Sequence, residues 1–100
     1  MCDKDLEDIA ELLRDKKFQE AFDICSRAIE ENPQNAEAHF KMAWVQERLR
    51  KTNFAEQEYN IAIQLQKNLV RKAAYLYFRG RLFFKQKKYV MSLSDFTLSI

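Results

Sequence analysis

Four alanines recur in two matched pairs. Ala21 and Ala28 reappear 34 residues later as Ala55 and Ala62, and Cys25 reappears in the same register as Tyr59. A second displacement, of 37 residues, links Ala43 to Gly80 and Tyr59 to Phe96. A fixed period of this length predicts an array of small supersecondary units, each unable to bury its apolar side alone. The three additional residues of the second unit are placed most simply in the connection Gln66 to Lys72.

The pattern between these anchors is helical. Leu6, Ile9, Ala10 and Leu13 stand at i, i+3, i+4 and i+7, which puts one stripe along a helix from about Asp5 to Arg14, with Asp3 or Asp5 as its cap. Phe18, Ala21, Phe22, Cys25, Ala28 and Ile29 mark a second helix, which must stop near Asn32 because Pro33 disfavours helical geometry in the residue before it. Asn35 is a plausible cap for a third, from Ala36 to about Arg50. Asn53 followed by Glu56 reads as a near capping box for a fourth, which carries Ala55, Tyr59, Ala62 and Ile63. A fifth runs from about Val70 to Gln86, and a sixth opens near Tyr89 with Leu93, Phe96 and Ile100 in helical spacing. With one Gly and one Pro in 100 residues, there is almost no material for hairpin turns, so an all-β fold is excluded. The expected architecture is all-α: three helical pairs joined by short turns in a single domain.

The repeat resembles the tetratricopeptide family, whose unit of about 34 residues follows W-x2-L-G-x2-Y, then A-x3-F, then P. In the third unit the resemblance lies in Leu76, Arg79, Gly80 and Phe83, followed by Ser92 and Phe96. In the second it lies in His39, Met42, Ala43 and Gln46, then Ala55 and Tyr59, with Lys67 where the proline would fall. The first unit keeps Ala21, Cys25, Ala28 and Pro33, but has Asp5, Asp8 and Ile9 where the signature wants Trp, Leu and Gly. The resemblance implies an α-α superhelix, or solenoid, of about three helix-turn-helix units: residues 2–35, 36–72 and a truncated 73–100. Small residues at the crossings would let paired helices approach closely.

The same resemblance implies a function. The first helix of each pair would line a concave surface that holds a peptide or helix of a partner protein. Carried onto this chain, the partner-binding residues are Phe40, Lys41, Trp44 and Arg48, then Tyr77, Phe78, Arg81, Phe84 and Lys85. The stripes 40, 44, 48 and 77, 81, 85 are also readable from spacing alone, opposite Ala43 and Gly80. Rings interleaved with cations suit a ligand with apolar anchors and acidic character. One family mode is disfavoured. The clamp of Lys and Asn that grips acidic chaperone tails falls here on Leu6, Ala10, Lys41, Ala74 and Phe78, of which only Lys41 suits it.

Charge and composition limit the other classes. Hydrophobic residues are 47% and charged residues 32%, as in an ordered globular chain. Residues 1–37 hold eleven carboxylates against five cations, net −6, and the remainder twelve cations against four carboxylates, net +8. Such polarity steers an acidic partner to the second half, or one copy head to tail onto another. His39 is the sole histidine and occupies the packing position of the signature tryptophan, so it is not expected to be catalytic. Cys2, Cys25 and His39 are too far apart for a zinc site, and a lone Gly80 cannot build a phosphate cradle, so no cofactor or metal is expected. No stretch is long enough to span a bilayer. Two unpaired-looking cysteines fit a reducing, cytoplasmic setting. The cluster Arg79, Arg81, Lys85, Lys87 and Lys88 leaves nucleic-acid binding as the main rival, and a targeting role within a larger enzyme as another. The fifth helix is apolar on nearly every side and predicts cover on every side; the last unit lacks a polar cap, which predicts further chain or self-association.

Overall fold

The computed structural model describes residues 8–99. Six α-helices run through them: α1 (Ile9–Arg14), α2 (Phe18–Glu31), α3 (Ala36–Arg48), α4 (Thr52–Leu65), α5 (Leu69–Lys85) and α6 (Tyr89–Leu98), with no strand among the described residues. The two caps expected before the first helix, Asp3 and Asp5, lie outside the described residues. Asp8 stands at that N-cap and makes no side-chain capping bond.

The helices pair as α1 with α2, α3 with α4, and α5 with α6. Each bend within a pair has the same construction. Lys16, Arg50 and Lys87 take left-handed backbone angles, with φ of 60°, 62° and 63°. Each following amide then donates back to a carbonyl of the previous helix: Lys17 to Leu12, Lys51 to Gln46 and Lys88 to Phe83, each at 2.8 Å. This double closure satisfies the orphan carbonyls of a helix end. It also revises the expected start of α4. Lys51 is the N-cap and Thr52 the first helical residue, so Asn53 lies inside the helix and no capping box forms.

Between pairs, asparagine does the capping. Pro33 ends α2 at Glu31, and the Asn35 side chain accepts from the Ala38 amide at 3.2 Å to start α3. Asn68 does the same for α5, accepting from Arg71 at 3.0 Å. The three additional residues of the second unit are therefore not in a longer connection. The linker Gln66–Asn68 is one residue shorter than Asn32–Asn35, and α5 has 17 residues against 13 in α3. The insertion is an extra N-terminal turn of α5, Leu69 to Lys72, and it projects: Leu69 and Val70 are 81% and 80% exposed.

The core follows the small residues. Ala21, Ala43, Ala55 and Ala62 are fully buried. At the crossing of α5 and α6 the approach is closest, for a Cβ added at Gly80 would stand 2.8 Å from Phe96 Cε1. The Ser92 hydroxyl donates to the Gly80 carbonyl across that crossing at 2.9 Å. Buried residues form two clusters, one around Ile9, Leu13, Ala21, Cys25 and Val45, the other around Phe40, Tyr59, Ala62, Tyr75 and Leu82. Burial pushes the Cys25 thiol up to about 12 from 9.0, which keeps it protonated and inert.

Candidate functional site

The side expected to be concave is carried by α3 and α5. The helical stripe that begins at Phe40 continues through Trp44 to Arg48, and the one that begins at Tyr77 continues through Arg81 to Lys85. The structure brings these two stripes together through aromatic contact. Ring centroids lie 5.9 Å apart for Trp44 and Phe78, 5.9 Å for Phe78 and Tyr77, and 5.6 Å for Tyr77 and Phe96. The result is a ladder of four rings crossing from α3 over α5 to α6.

Phe40 does not belong to that surface. It is 6% exposed, stacked on Tyr75 with centroids 4.3 Å apart and edge-on to Phe78 at 5.1 Å. The reason is that α5 lies over it, so a position that faces inward along α3 is closed by the next pair. The other eight residues differ in availability. Arg48, Tyr77, Arg81, Phe84 and Lys85 are exposed, whereas Lys41, Trp44 and Phe78 are half-buried.

Two of the four cations are already engaged. Lys41 Nζ lies 3.6 Å from Glu37 Oε1 and 5.2 Å from the Trp44 ring centroid, which holds it flat against the surface. Lys85 reaches from α5 to Glu47 of α3 at 2.9 Å. Among the described residues, Arg48 and Arg81 have no carboxylate within 4.0 Å; the Arg81 guanidinium lies 5.8 Å from the Phe78 ring centroid. Beside it, Arg81, Phe84, Lys85 and Phe96 enclose a notch of about 280 Å³.

Two buried tyrosines lock the surface that carries the ladder. Tyr59 donates to Glu47 Oε1 at 2.7 Å, and Tyr75 donates to Glu37 Oε2 at 2.7 Å. Burial first, and then the adjacent carboxylates, raise both phenols well above the ordinary tyrosine range, so both remain donors. Spacing on one helix gave no sign of these links, because each joins two helices: Tyr59 of α4 to Glu47 of α3 within one pair, and Tyr75 of α5 to Glu37 of α3 across two pairs. A further tie was equally hidden: Arg79 grips Asp95 with two bonds of 2.7 Å and Asn60 with one of 2.8 Å.

His39 is 6% exposed, with Nε2 donating to the Pro33 carbonyl at 2.9 Å and Nδ1 2.6 Å from Glu58 Oε2. That is the packing role expected of it. Among the described residues no cluster of three or more His, Cys, Asp or Glu could hold a metal, and no helix is long and apolar enough to cross a membrane.

Comparison with curated proteins returns no match. The profile described as Tetratricopeptide repeat matches residues 12–82, well over half of the chain and all of its second helical pair. The helical pairs, the small residues at their crossings and this match agree: the chain belongs to the tetratricopeptide-repeat family.

Proposed function

We propose that this chain is an adaptor that holds an apolar and acidic segment of a partner protein on its concave side. The contacts are Trp44, Arg48, Tyr77, Phe78, Arg81, Phe84 and Lys85, with Lys41 held in place beneath and Phe40 as the buried support. Repeats of this family mediate protein–protein interaction, which supports the general reading. The observation that carries the finer one is the ladder of Trp44, Phe78, Tyr77 and Phe96 flanked by two arginines, Arg48 and Arg81, that no carboxylate among the described residues pairs. Rings supply large contact area at small entropic cost, and an unpaired guanidinium takes a carboxylate in fork geometry.

Cation pairing also bears on the nucleic-acid alternative. Three of the five cations in the basic cluster are occupied, Arg79 by Asp95, Lys85 by Glu47 and Lys88 by Glu56. That favours a ligand met by a few directed contacts over a phosphate backbone met by many.

The test is a selection of displayed random peptides on the wild-type chain, counter-screened on Arg48→Glu with Arg81→Glu. Selected peptides should carry aromatic or leucine anchors beside Asp or Glu, shift the emission of Trp44, the only tryptophan, and lose at least tenfold in affinity on the double variant. Peptides that bind both chains equally and leave Trp44 emission unmoved would remove the site.

A further inference from the structure

Two of the three bends present the same chemistry. Arg50 and Lys51 are followed by Phe54, and 37 residues on, Lys87 and Lys88 are followed by Met91, with Tyr89 and Val90 between. Phe54 is 58% exposed, Met91 47% and Val90 85%, and all four cations are exposed beside them. Stacking does not account for this exposure. The second pair has α2 packed on one side and α5 on the other, yet Arg50, Lys51 and Phe54 stay open. Their positions therefore face outward past the bend, away from the direction in which pairs stack. The same register places Lys87, Lys88 and Met91 facing that way on the third pair.

The first bend differs. Lys16 and Lys17 keep the register, but Glu20 stands where the later pairs have Phe54 and Met91, and Asp15 precedes the two lysines. The mixed apolar and cationic edge is thus confined to the second and third pairs. Lys88 joins them by reaching Glu56 of α4 at 3.2 Å, which occupies both groups. Lys51 lies 5.8 Å from the Phe22 ring centroid. Among the described residues, Arg50, Lys51 and Lys87 have no carboxylate within 4.0 Å.

We propose that this edge docks on the surface of an anionic lipid bilayer. Cations that no internal acid neutralises are drawn to anionic headgroups, and apolar side chains standing among them enter the boundary between headgroup and acyl chain. Phe54 and Met91 supply those side chains, with Val90 at the same level as Met91. The aliphatic members separate lipid from nucleic acid. A base stacks on a ring, which Val90 and Met91 do not offer, whereas hydrocarbon accepts rings and aliphatic chains alike. The proposal does not rest on the concave-side reading, since none of these residues belongs to that set.

The test is cosedimentation of the chain with vesicles of equal parts phosphatidylserine and phosphatidylcholine. The wild type should partition onto them, stay in solution with phosphatidylcholine alone, and come off as salt is added. Arg50→Asn with Lys87→Asn should lower partitioning about tenfold or more. Asparagine tolerates the left-handed backbone of both bends, so the melting temperature should equal or exceed that of wild type, and the loss then reports charge and not unfolding. Phe54→Gln with Met91→Gln leaves every cation in place and should lower partitioning about fivefold, with an unchanged melting curve because both positions are exposed. Lys67→Gln with Arg71→Gln removes the same charge at the far end of α4, whose 14 residues span about 21 Å, and should change partitioning less than about twofold. Equal losses from the two charge variants would mean attraction to net charge alone. An indifferent Phe54 and Met91 variant, or a single-stranded oligonucleotide bound as tightly as the vesicles, would mean a soluble polyanion. Any of these results, or no partitioning onto the anionic vesicles, overturns the proposal.

Discussion

The second and third helical pairs share a register, and the residues in that register lead different lives. Phe40 on α3 is sealed beneath α5, while Tyr77, its counterpart on α5, is 45% exposed. Tyr59 is fully buried and hydrogen-bonded to Glu47, while Phe96 is half-buried and lies against Tyr77 and Gly80 of its own pair. The lesson is that position within a repeat decides which way a side chain points, whereas the next pair in the stack decides what that direction is worth. In a one-dimensional stack, stability resides as much in the interface between units as in the units.

Paired substitutions sharpen or break this contrast. The largest effect is expected at the sealed position: Phe40→Ala should lose about 3–5 kcal/mol in urea denaturation, as buried aromatics do, while Tyr77→Ala should lose under about 1 kcal/mol. Equal losses would mean that the pairs do not differ as described. Next comes the crossing. Gly80→Ala must push Phe96 aside, at a cost of about 1–3 kcal/mol by the same assay. Ala43→Gly, at the matching crossing, creates no clash and should cost about 1 kcal/mol through backbone entropy.

The third comparison follows the register from Cys25 to Tyr59 to Phe96. The folded-state thiol is raised to about 12 from 9.0, so the unfolded chain loses its proton first. Stability from this group is intact below pH 9 and declines as pH rises from 9 towards 12, by on the order of 1 kcal/mol between pH 9 and 10. In a Cys2→Ser background, thiol labelling at pH 8 should track global unfolding; rapid labelling of the folded chain would mean that the first crossing is open. The smallest effect belongs to the ion pair of Glu47 with the exposed Lys85. Glu47→Gln keeps an acceptor for the Tyr59 hydroxyl and loses only the charge pairing, so it should cost about 0.5–1 kcal/mol by thermal melting, and Phe84→Glu, its partner in register, should stay within about 0.5 kcal/mol of wild type.

Much of this was legible in the amino-acid order. Ala21, Ala28, Ala55 and Ala62 declared the period because only small residues fit where helices cross, and Pro33 and Asn35 marked one boundary by backbone restriction and capping. Three features were not legible for identifiable reasons. Leu69 to Lys72 form helix as readily as they form a linker, so the place of the insertion depended on Asn68 acting as a cap. Asn53 and Glu56 match a capping box in type and spacing, but Lys51, held by the Arg50 bend, begins the helix two residues too early for Asn53 to serve. Phe40 sits on the inward stripe as expected, yet periodicity along α3 says nothing of a helix that arrives 29 residues later. The concave-side assignment shares that weakness: the ladder depends on contacts between pairs, which no single helical stripe encodes.

The left-handed bends have a consequence for how the molecule meets its surroundings. Glycine or asparagine relaxes such a backbone, yet this chain places Lys16, Arg50 and Lys87 there, at about 1 kcal/mol of strain each. Each is followed by another lysine, and Lys51 lies over the Phe22 ring while Lys88 reaches Glu56, so successive bends sit side by side along one edge. That edge is therefore a cationic rim of six side chains, bought with backbone discomfort. An acidic body approaching in dilute buffer is turned to meet it rim-first, and added salt dissolves that preference before it touches the fold.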